Sequence, residues 1–137
     1  MIILAFDFGT KNIGVAVGQK ITNTARSLQP IQIYNKKINW NNIHNLIITW
    51  EPKLMIVGYP LNMDGTKQKI THTVKYFAKE LYTRFLIPIK LQDERLTTIE
   101  SKSILYLQGG YKKLNKNKID SLSAVLILES WFSKNCI

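Results

Sequence analysis

The sequence predicts an α/β fold in which a mixed five-stranded sheet is flanked by helices. Its first residues form two apolar segments joined by a tight turn, which predicts an antiparallel hairpin. Apolar segments of strand length then alternate with amphipathic segments of helical period, which predicts helices on the faces of a sheet. Because the chain has neither an internal repeat nor a composition break, we expect residues 1–137 to form a single domain.

The first third of the chain is expected to contain only strands and loops. Residues 2–7 are uniformly apolar up to Asp7, as in a strand that is covered on both faces. Residues 13–17 form its hairpin partner. A third strand is expected near residues 21–25, and residues 26–38 are expected to form an irregular loop with extended pieces around residues 31–34.

The remaining chain alternates helices and strands and then ends in two helices. The predicted order is helix, strand, helix, strand, helix and helix, at residues 40–50, 54–57, 70–81, 87–91, 99–107 and 120–132. Pro52 ends the helix at residues 40–50, and Gly109-Gly110 is typical of the end of the helix at residues 99–107. A lysine-rich linker at residues 112–118 precedes the last helix.

Composition favours a polyanionic partner in a reducing compartment. The formal charge is +10, from 19 basic and 9 acidic residues, and such an excess favours phosphate neutralisation. Genomic drift towards Lys, Asn and Ile would give a similar charge without any binding role. Cys136 is the only cysteine, so a disulfide within the chain is excluded. The apolar N-terminal run meets Asp7 too early for a signal peptide or a membrane span, and we expect a cytoplasmic protein.

Four of the nine acidic residues lie at strand ends or at a helix start, positions that favour a functional role. Asp7 closes an apolar strand, Asp93-Glu94 follow another strand, and Asp120 opens the last helix. An acid at a helix start is also explained by the helix dipole, so Asp120 alone is ambiguous. Functional groups gather beyond the carboxyl ends of strands in open α/β sheets, where Asp7, Glu94 and Asp120 could converge.

Clustered carboxylates indicate a site for a hard divalent ion. Mg²⁺ accepts oxygen ligands from a few carboxylates and completes its shell with water and phosphate. Two such ions about 4 Å apart can activate water and stabilise the leaving oxygen in phosphodiester hydrolysis. The turn after Asp7, an acid-x-Gly-Thr sequence, also occurs in nucleotide-binding kinases and actin-like ATPases. Those proteins enclose the nucleotide between two domains, however, and 137 residues supply only one.

Four segments of the sequence together resemble the YqgF (RuvX) family, the pre-16S rRNA nucleases related to Holliday-junction resolvases. They occur in the family's order and span nearly the whole chain, at residues 7–16 (DFGTKNIGVA), 58–66 (GYPLNMDGT), 93–98 (DERLTT) and 118–128 (KIDSLSAVLIL). Two positions depart from the family's usual pattern. Asn12 stands where a basic residue is usual, and Ser123 where a small apolar one is usual.

The resemblance implies an RNase H-like fold and a metal-dependent endonuclease that acts in 5′-end maturation of pre-16S rRNA. It implies Mg²⁺ or Mn²⁺ as cofactor, held by the catalytic carboxylates Asp7, Glu94 and Asp120, with Asp93 as a participant or an outer partner. The substrate-binding candidates are Lys11, Asn62, Thr66, Arg95 and Lys118.

Two alternatives to this activity stay open. One is a resolvase that cuts branched four-way DNA, and the other is a noncatalytic RNA-binding factor in ribosome assembly. Structured RNA is the expected partner, together with ribosomal proteins, and the expected state is a monomer or a homodimer. No membrane association is expected.

Overall fold

The computed structural model describes residues 1–9, 11–59, 69–93 and 116–134, and of residues 69, 93 and 116–121 it describes the backbone alone. Within these ranges the chain forms six strands and three helices. They are β1 (Ile2–Phe8), β2 (Asn12–Gln19), β3 (Thr24–Tyr34), β4 (Lys37–Ile38), α1 (Trp40–Trp50), β5 (Leu54–Tyr59), α2 (Lys69–Phe85), β6 (Ile89–Asp93) and α3 (Lys116–Lys134). The helix predicted at residues 99–107 lies outside the described residues.

The six strands form one mixed sheet in the order β4-β3-β2-β1-β5-β6. The pairs β1–β2, β2–β3 and β3–β4 are antiparallel, whereas β1–β5 and β5–β6 are parallel. This arrangement confirms the predicted mixed α/β class. The sheet has six strands where five were expected, because the two-residue β4 is too short to show a period in the sequence.

The irregular loop predicted at residues 26–38 was wrong, because most of that segment belongs to β3, which includes the extended pieces expected around residues 31–34. The third strand expected near residues 21–25 begins later, at Thr24. This strand is 11 residues long, and most of its side chains are exposed or only partly buried. Its ladder with β2 runs from the pair Asn12–Gln32 to the pair Gln19–Thr24, with a register shift opposite Ile13 and Val15. Partner hydrogen bonds therefore hold a strand that has polar residues interspersed among its apolar ones and that contains Pro30, a residue that strands tolerate near such irregularities.

Helix α1 matches its predicted bounds because both of its ends are capped. The Asn39 side chain accepts a hydrogen bond from the Asn42 backbone N–H at 3.4 Å. At the other end, Glu51 adopts a left-handed conformation with φ of 46°, and its N–H donates to the Ile47 carbonyl oxygen at 2.9 Å. Pro52 follows directly and prevents the helix from continuing.

The sheet has an apolar core on each face, and β1 contributes to both cores through the alternation of its side chains. Leu4 and Phe6 are fully buried in the cluster that includes residues of α1 and α2. Ile3 and Ala5 are fully buried in the other cluster, which includes residues of α3. The central strand is therefore covered on both faces, as its uniformly apolar sequence predicts.

Helix α3 begins earlier than predicted, at Lys116, so it includes the last residues of the expected lysine-rich linker. Its C-terminal half packs closely on β2. A Cβ atom placed on Gly18 would lie 2.8 Å from Leu128 Cδ2 and 3.2 Å from Phe132 Cε2. The Thr24 carbonyl oxygen of β3 also lies too close for a Cβ atom and, unlike the two helix side chains, cannot move aside, so this position requires glycine. Among the described residues, no helix combines the length and the apolar character that crossing a lipid bilayer requires.

Candidate active site

Asp7 lies near the carboxyl end of β1, in the middle of the sheet. Its strand has β2 on one side and β5 on the other, and Asp7 itself pairs with Gly14 of β2. The side chain is half-buried. Because Asp7 follows Ile3 and Ala5 at two-residue steps, it lies on the face of the sheet that α3 covers. A carboxylate is thus held at a rigid position on that face.

A tight turn after β1 fixes the direction in which the chain leaves Asp7. The Gly9 N–H donates a hydrogen bond to the Asn12 carbonyl oxygen at 2.9 Å. A Cβ atom on Gly9 would lie only 2.7 Å from that same oxygen, so the turn has no room for a side chain there. Lys11, a predicted substrate-binding residue, is exposed in this turn, and its carbonyl oxygen accepts from the Ile33 N–H at 2.9 Å.

The carboxyl ends of β1, β5 and β6 lie at the same edge of the sheet, because these three strands are parallel. Asp93 is the last residue of β6 and pairs with Tyr59 of β5, so β6 ends two residues later than predicted. One strand, β5, separates β1 from β6. The strand spacing puts the two outer strands roughly 10 Å apart. Glu94 and Arg95 come directly after Asp93 and lie outside the described residues.

Asp120 is not the first residue of α3, as the sequence suggested, but lies one turn inside the helix. Helix α3 begins at Lys116 and has no acidic residue in its first turn. The stabilisation of acids by the helix dipole is confined to that first turn, so it explains Asp120 less well than the sequence implied. Lys118, another substrate-binding candidate, lies in the first turn. Asn62 and Thr66 lie outside the described residues.

Sequence reasoning missed one polar contact beside this edge. The Gln92 side chain is 6% exposed, and its Nε2 donates to the Ser130 Oγ of α3 at 3.0 Å. The sequence gives only a weak signal, a glutamine between Leu91 and the Asp93-Glu94 pair. This contact puts Gln92 on the same face of the sheet as α3.

Of the three predicted metal ligands, Asp7 is the one whose side chain the structure describes. Among the described side chains, no group of three or more His, Cys, Asp or Glu side chains comes together. Asp7 belongs to this set, whereas the side chains of Glu94 and Asp120 lie outside it. A half-buried carboxylate on a rigid central strand suits a hard cation such as Mg²⁺, which prefers oxygen ligands. The donor chemistry of Asp7 therefore fits the expected ion.

Comparison with known proteins finds a matching family model and relatives that share most of the sequence. A family model described as "RuvX: Holliday junction resolvase" matches residues 1–134. A protein of Buchnera aphidicola subsp. Baizongia pistaciae is 61% identical over 137 residues, which cover 98% of this chain and 100% of the relative. A protein of Escherichia coli O157:H7 is 55% identical over 132 residues, 96% of each chain. Both relatives carry the name "Putative pre-16S rRNA nuclease".

Two solved structures share the architecture. The fowlpox virus Holliday junction resolvase matches with a TM-score of 0.58 at 19% identity, over 100% of both chains. T. thermophilus RuvC in complex with a Holliday junction substrate also has a TM-score of 0.58, at 12% identity, over 98% of this chain and 94% of RuvC. At these identities the likeness concerns the fold alone, and it confirms the RNase H-like fold. The family match, the identity to the relatives and the four sequence segments agree, and the chain belongs to the RuvX family.

Proposed function

We propose that this protein is a divalent-metal-dependent endonuclease that hydrolyses phosphodiester bonds during 5′-end maturation of pre-16S rRNA. The observation that carries the proposal is the position of Asp7. Its carboxylate stands at the carboxyl end of the central strand, on the sheet face covered by the helix that contains Asp120. Relatives that carry the name "Putative pre-16S rRNA nuclease", one of them 61% identical, support the choice of RNA as substrate.

The proposed metal ligands are Asp7, Glu94 and Asp120, and the contact of Gln92 supports Glu94 over Asp93. Alternate residues of a strand lie on the same face of the sheet. Gln92 contacts Ser130 and therefore lies on the α3 face. Glu94 follows Gln92 by two positions, so it is in phase with that face if the extended chain continues, and Asp93 is out of phase.

The length of α3 supports the inclusion of Asp120. Leu128 lies against Gly18, and Gly18 pairs with Ile3 near the start of β1. Eight helical residues separate Leu128 from Asp120, which corresponds to about 12 Å of helix. Four strand residues separate Ile3 from Asp7, which corresponds to about 13 Å. A helix that runs back along β1 from this contact is therefore long enough to bring Asp120 level with Asp7.

The chemistry divides between the bound metal and the basic side chains. When bound, Mg²⁺ or Mn²⁺ supplies positive charge that activates a water molecule and stabilises the leaving oxygen. The three carboxylates hold it, and without it they would repel the phosphate. Lys11, Arg95 and Lys118 bind the phosphates on either side of the cut, and Asn62 and Thr66 flank the substrate. The net charge of +10 supports such an anionic partner.

The proposal extends to the setting in which the enzyme works. One domain, residues 1–137, carries the whole activity in the cytoplasm, as a monomer or a homodimer. Its substrate is structured RNA, which it binds in the presence of ribosomal proteins. The single cysteine in the sequence and the excess of basic residues support this setting.

The decisive test is cleavage of a substrate that contains the 5′ end of precursor 16S rRNA. Wild type is assayed with Mn²⁺, with Mg²⁺ and with EDTA, beside Asp7→Asn and a matched control, Glu129→Gln, which alters an exposed acid of α3. We expect metal-dependent cutting by wild type and by the control, and a loss of at least a hundredfold in Asp7→Asn. Undiminished cutting by Asp7→Asn, with contaminating nuclease excluded, would refute the assignment of Asp7 as a catalytic metal ligand.

A second candidate activity is cleavage of four-way DNA junctions, since the matching family model is described as a resolvase. A branched DNA tested beside the RNA separates the two activities, because resolution needs paired symmetric nicks. If neither substrate is cut although RNA binds tightly, the noncatalytic assembly role is favoured. In that case Asp7→Asn would still complement a deletion strain.

A further inference from the structure

An open polar groove lies between α1 and β3, on the face of the sheet that is opposite α3. Its volume is about 580 Å³, within the range of small-ligand sites. Ile31 and Leu46, which line it, belong to or pack against the core cluster that includes α1 and α2. The α1 side is formed by Asn42, Asn45 and Thr49, whose spacing puts them on one stripe of the helix. The groove therefore follows α1 for about two turns.

Amide side chains dominate the lining of the groove, and none of the described residues that line it is charged. Five exposed amide side chains line it, those of Gln29, Gln32, Asn39, Asn42 and Asn45. Asn39 caps α1 through its side-chain oxygen, whereas no hydrogen bond joins the other four side chains to another described residue. An amide side chain offers both a donor and an acceptor, which is the combination that reads the edge of a nucleic-acid base. Phosphate would instead require cations.

Cations stand beside the groove instead of inside it. Arg26 is exposed, and its guanidinium carbon lies 5.1 Å from the ring centroid of Trp50, which lines the groove. Lys11 precedes Asn12, another lining residue. Glu51, which is exposed, follows Trp50 and adds a negative charge near that end. A strand with its bases in the groove would find basic side chains near Asn12 and near Trp50 for its phosphates.

Asn12 connects the groove to the candidate active site. It opens β2, and its carbonyl oxygen accepts the hydrogen bond from Gly9 that closes the turn after Asp7. The groove and Asp7 lie on opposite faces of the sheet but share this hairpin. A single strand that leaves the active-site edge can therefore reach the groove by passing round the turn.

We propose that this groove binds an unpaired segment of the RNA substrate through the edges of its bases. Paired RNA does not fit the chemistry. Its Watson–Crick edges are occupied, its major groove is too narrow for side chains, and its minor groove is recognised mostly through 2′-hydroxyl and phosphate contacts. An unpaired strand exposes those edges to amide side chains and its base faces to Trp50. The identity of the ligand as RNA rests on the proposed function, whereas the preference for unpaired bases rests on the groove.

The test compares two sets of asparagines on the same helix. Asn42→Ala/Asn45→Ala removes two lining amides, and Asn41→Ala removes an exposed amide that does not line the groove. Alanine favours helix, so α1 is retained in both. Binding of a short single-stranded RNA and of an RNA duplex is measured by fluorescence anisotropy. We expect the double variant to bind the single strand about tenfold more weakly and the duplex unchanged, and Asn41→Ala to match wild type for both.

Salt dependence and cross-linking provide independent readouts. Loss of uncharged amides leaves the slope of log K against log salt unchanged, whereas Lys11→Ala reduces the magnitude of this negative slope by about one. A single strand that carries 4-thiouridine should cross-link to the peptide that contains residues 42–50. Unchanged single-strand affinity in the double variant, an equal loss for duplex, or cross-links only elsewhere would overturn the inference.

The outcomes separate this inference from the proposed function. If Asp7→Asn still cleaves but the groove variant loses single-strand binding, the nuclease assignment at Asp7 fails and the groove stands. If Asp7→Asn is inactive and the groove variant binds the single strand like wild type, the groove fails and the nuclease stands. The thermal midpoint of each variant shows whether it is folded.

Discussion

Gln92 of β6 donates a hydrogen bond to Ser130 of α3 across 38 positions of sequence, with an Nε2–Oγ distance of 3.0 Å. Gln92 is 6% exposed, so this bond satisfies an amide that burial removes from water. It joins the strand that directly precedes Glu94 to the helix that contains Asp120. The strand that leads to one proposed metal ligand is thus held to the helix that contains another by a contact that involves neither ligand.

Ser130→Ala should destabilise the protein by about 1–3 kcal/mol, because it leaves the buried Gln92 amide without its partner. Urea unfolding measures the loss. The matched control is Ser133→Ala, which alters an exposed serine of the same helix and should change stability by less than about 0.5 kcal/mol. The pair Gln92→Leu/Ser130→Ala should recover part of the loss, since replacing both partners removes the unsatisfied group. Equal stability of the two serine variants would contradict the role of this bond.

Gly9→Ala should lower both stability and cleavage. Its Cβ would lie 2.7 Å from the Asn12 carbonyl oxygen, and a backbone atom cannot move aside cheaply. We expect a cost of about 1–3 kcal/mol and slower cleavage well below the thermal midpoint, because the shifted turn follows Asp7 directly. Lys11→Ala, in the same exposed turn, should leave stability within about 0.5 kcal/mol of wild type. A Gly9→Ala variant as stable and as active as wild type would refute the constraint.

Arg84 should stabilise α2 more through Trp40 than through its ion pair. Its guanidinium carbon lies 4.2 Å from the Trp40 ring centroid, and its ion pair with Glu80, at 3.1 Å, is exposed to solvent. An exposed pair within one helix contributes only about 0.3–0.5 kcal/mol. We therefore expect Arg84→Ala to cost about 1 kcal/mol and Glu80→Gln less than half of that in thermal unfolding. The reverse order would assign the stabilisation to the ion pair.

Mg²⁺ should raise the thermal midpoint of wild type, and Asp7→Asn should reduce that shift. An ion that binds only the native state stabilises it by mass action, and removing a ligand weakens the binding. EDTA should leave both proteins folded, because the two cores are built from apolar residues. Thermal scans at several Mg²⁺ concentrations test this without any substrate. Identical shifts in the two proteins would exclude Asp7 as a ligand.

Lys118 and Lys134 provide a matched pair at opposite ends of α3. Lys118 lies in the first turn, where a cation opposes the helix dipole, and Lys134 lies in the last turn, where it is favourable. Lys118→Ala should lower the salt slope of RNA binding by about one without loss of stability. Lys134→Ala should leave the slope unchanged and slightly lower the thermal midpoint. A salt slope that Lys118→Ala does not change would exclude a phosphate contact at that position.

Local patterns determined much of the fold. The apolar run before Asp7 and the turn after it predicted the hairpin, and the spacing from Trp40 to Trp50 with the following Pro52 predicted α1. These features depend on nearest neighbours in sequence, so one segment contains all the information needed. The four segments, in the family's order, likewise identified the family, which the match of the family model to residues 1–134 confirms.

Long-range contacts decided the rest. Strand β3 forms because β2 pairs with it, although its own residues resemble a loop. The alternation of β1 put Asp7 on a face, but only the packing of α3 showed which helix shares that face. The groove lined by Asn12, Gln32 and Asn45 had no sequence signal, because residues of three separate elements form it only when those elements pack. A residue's type and period determine the element it joins, whereas its neighbours across the sheet depend on how the elements pack.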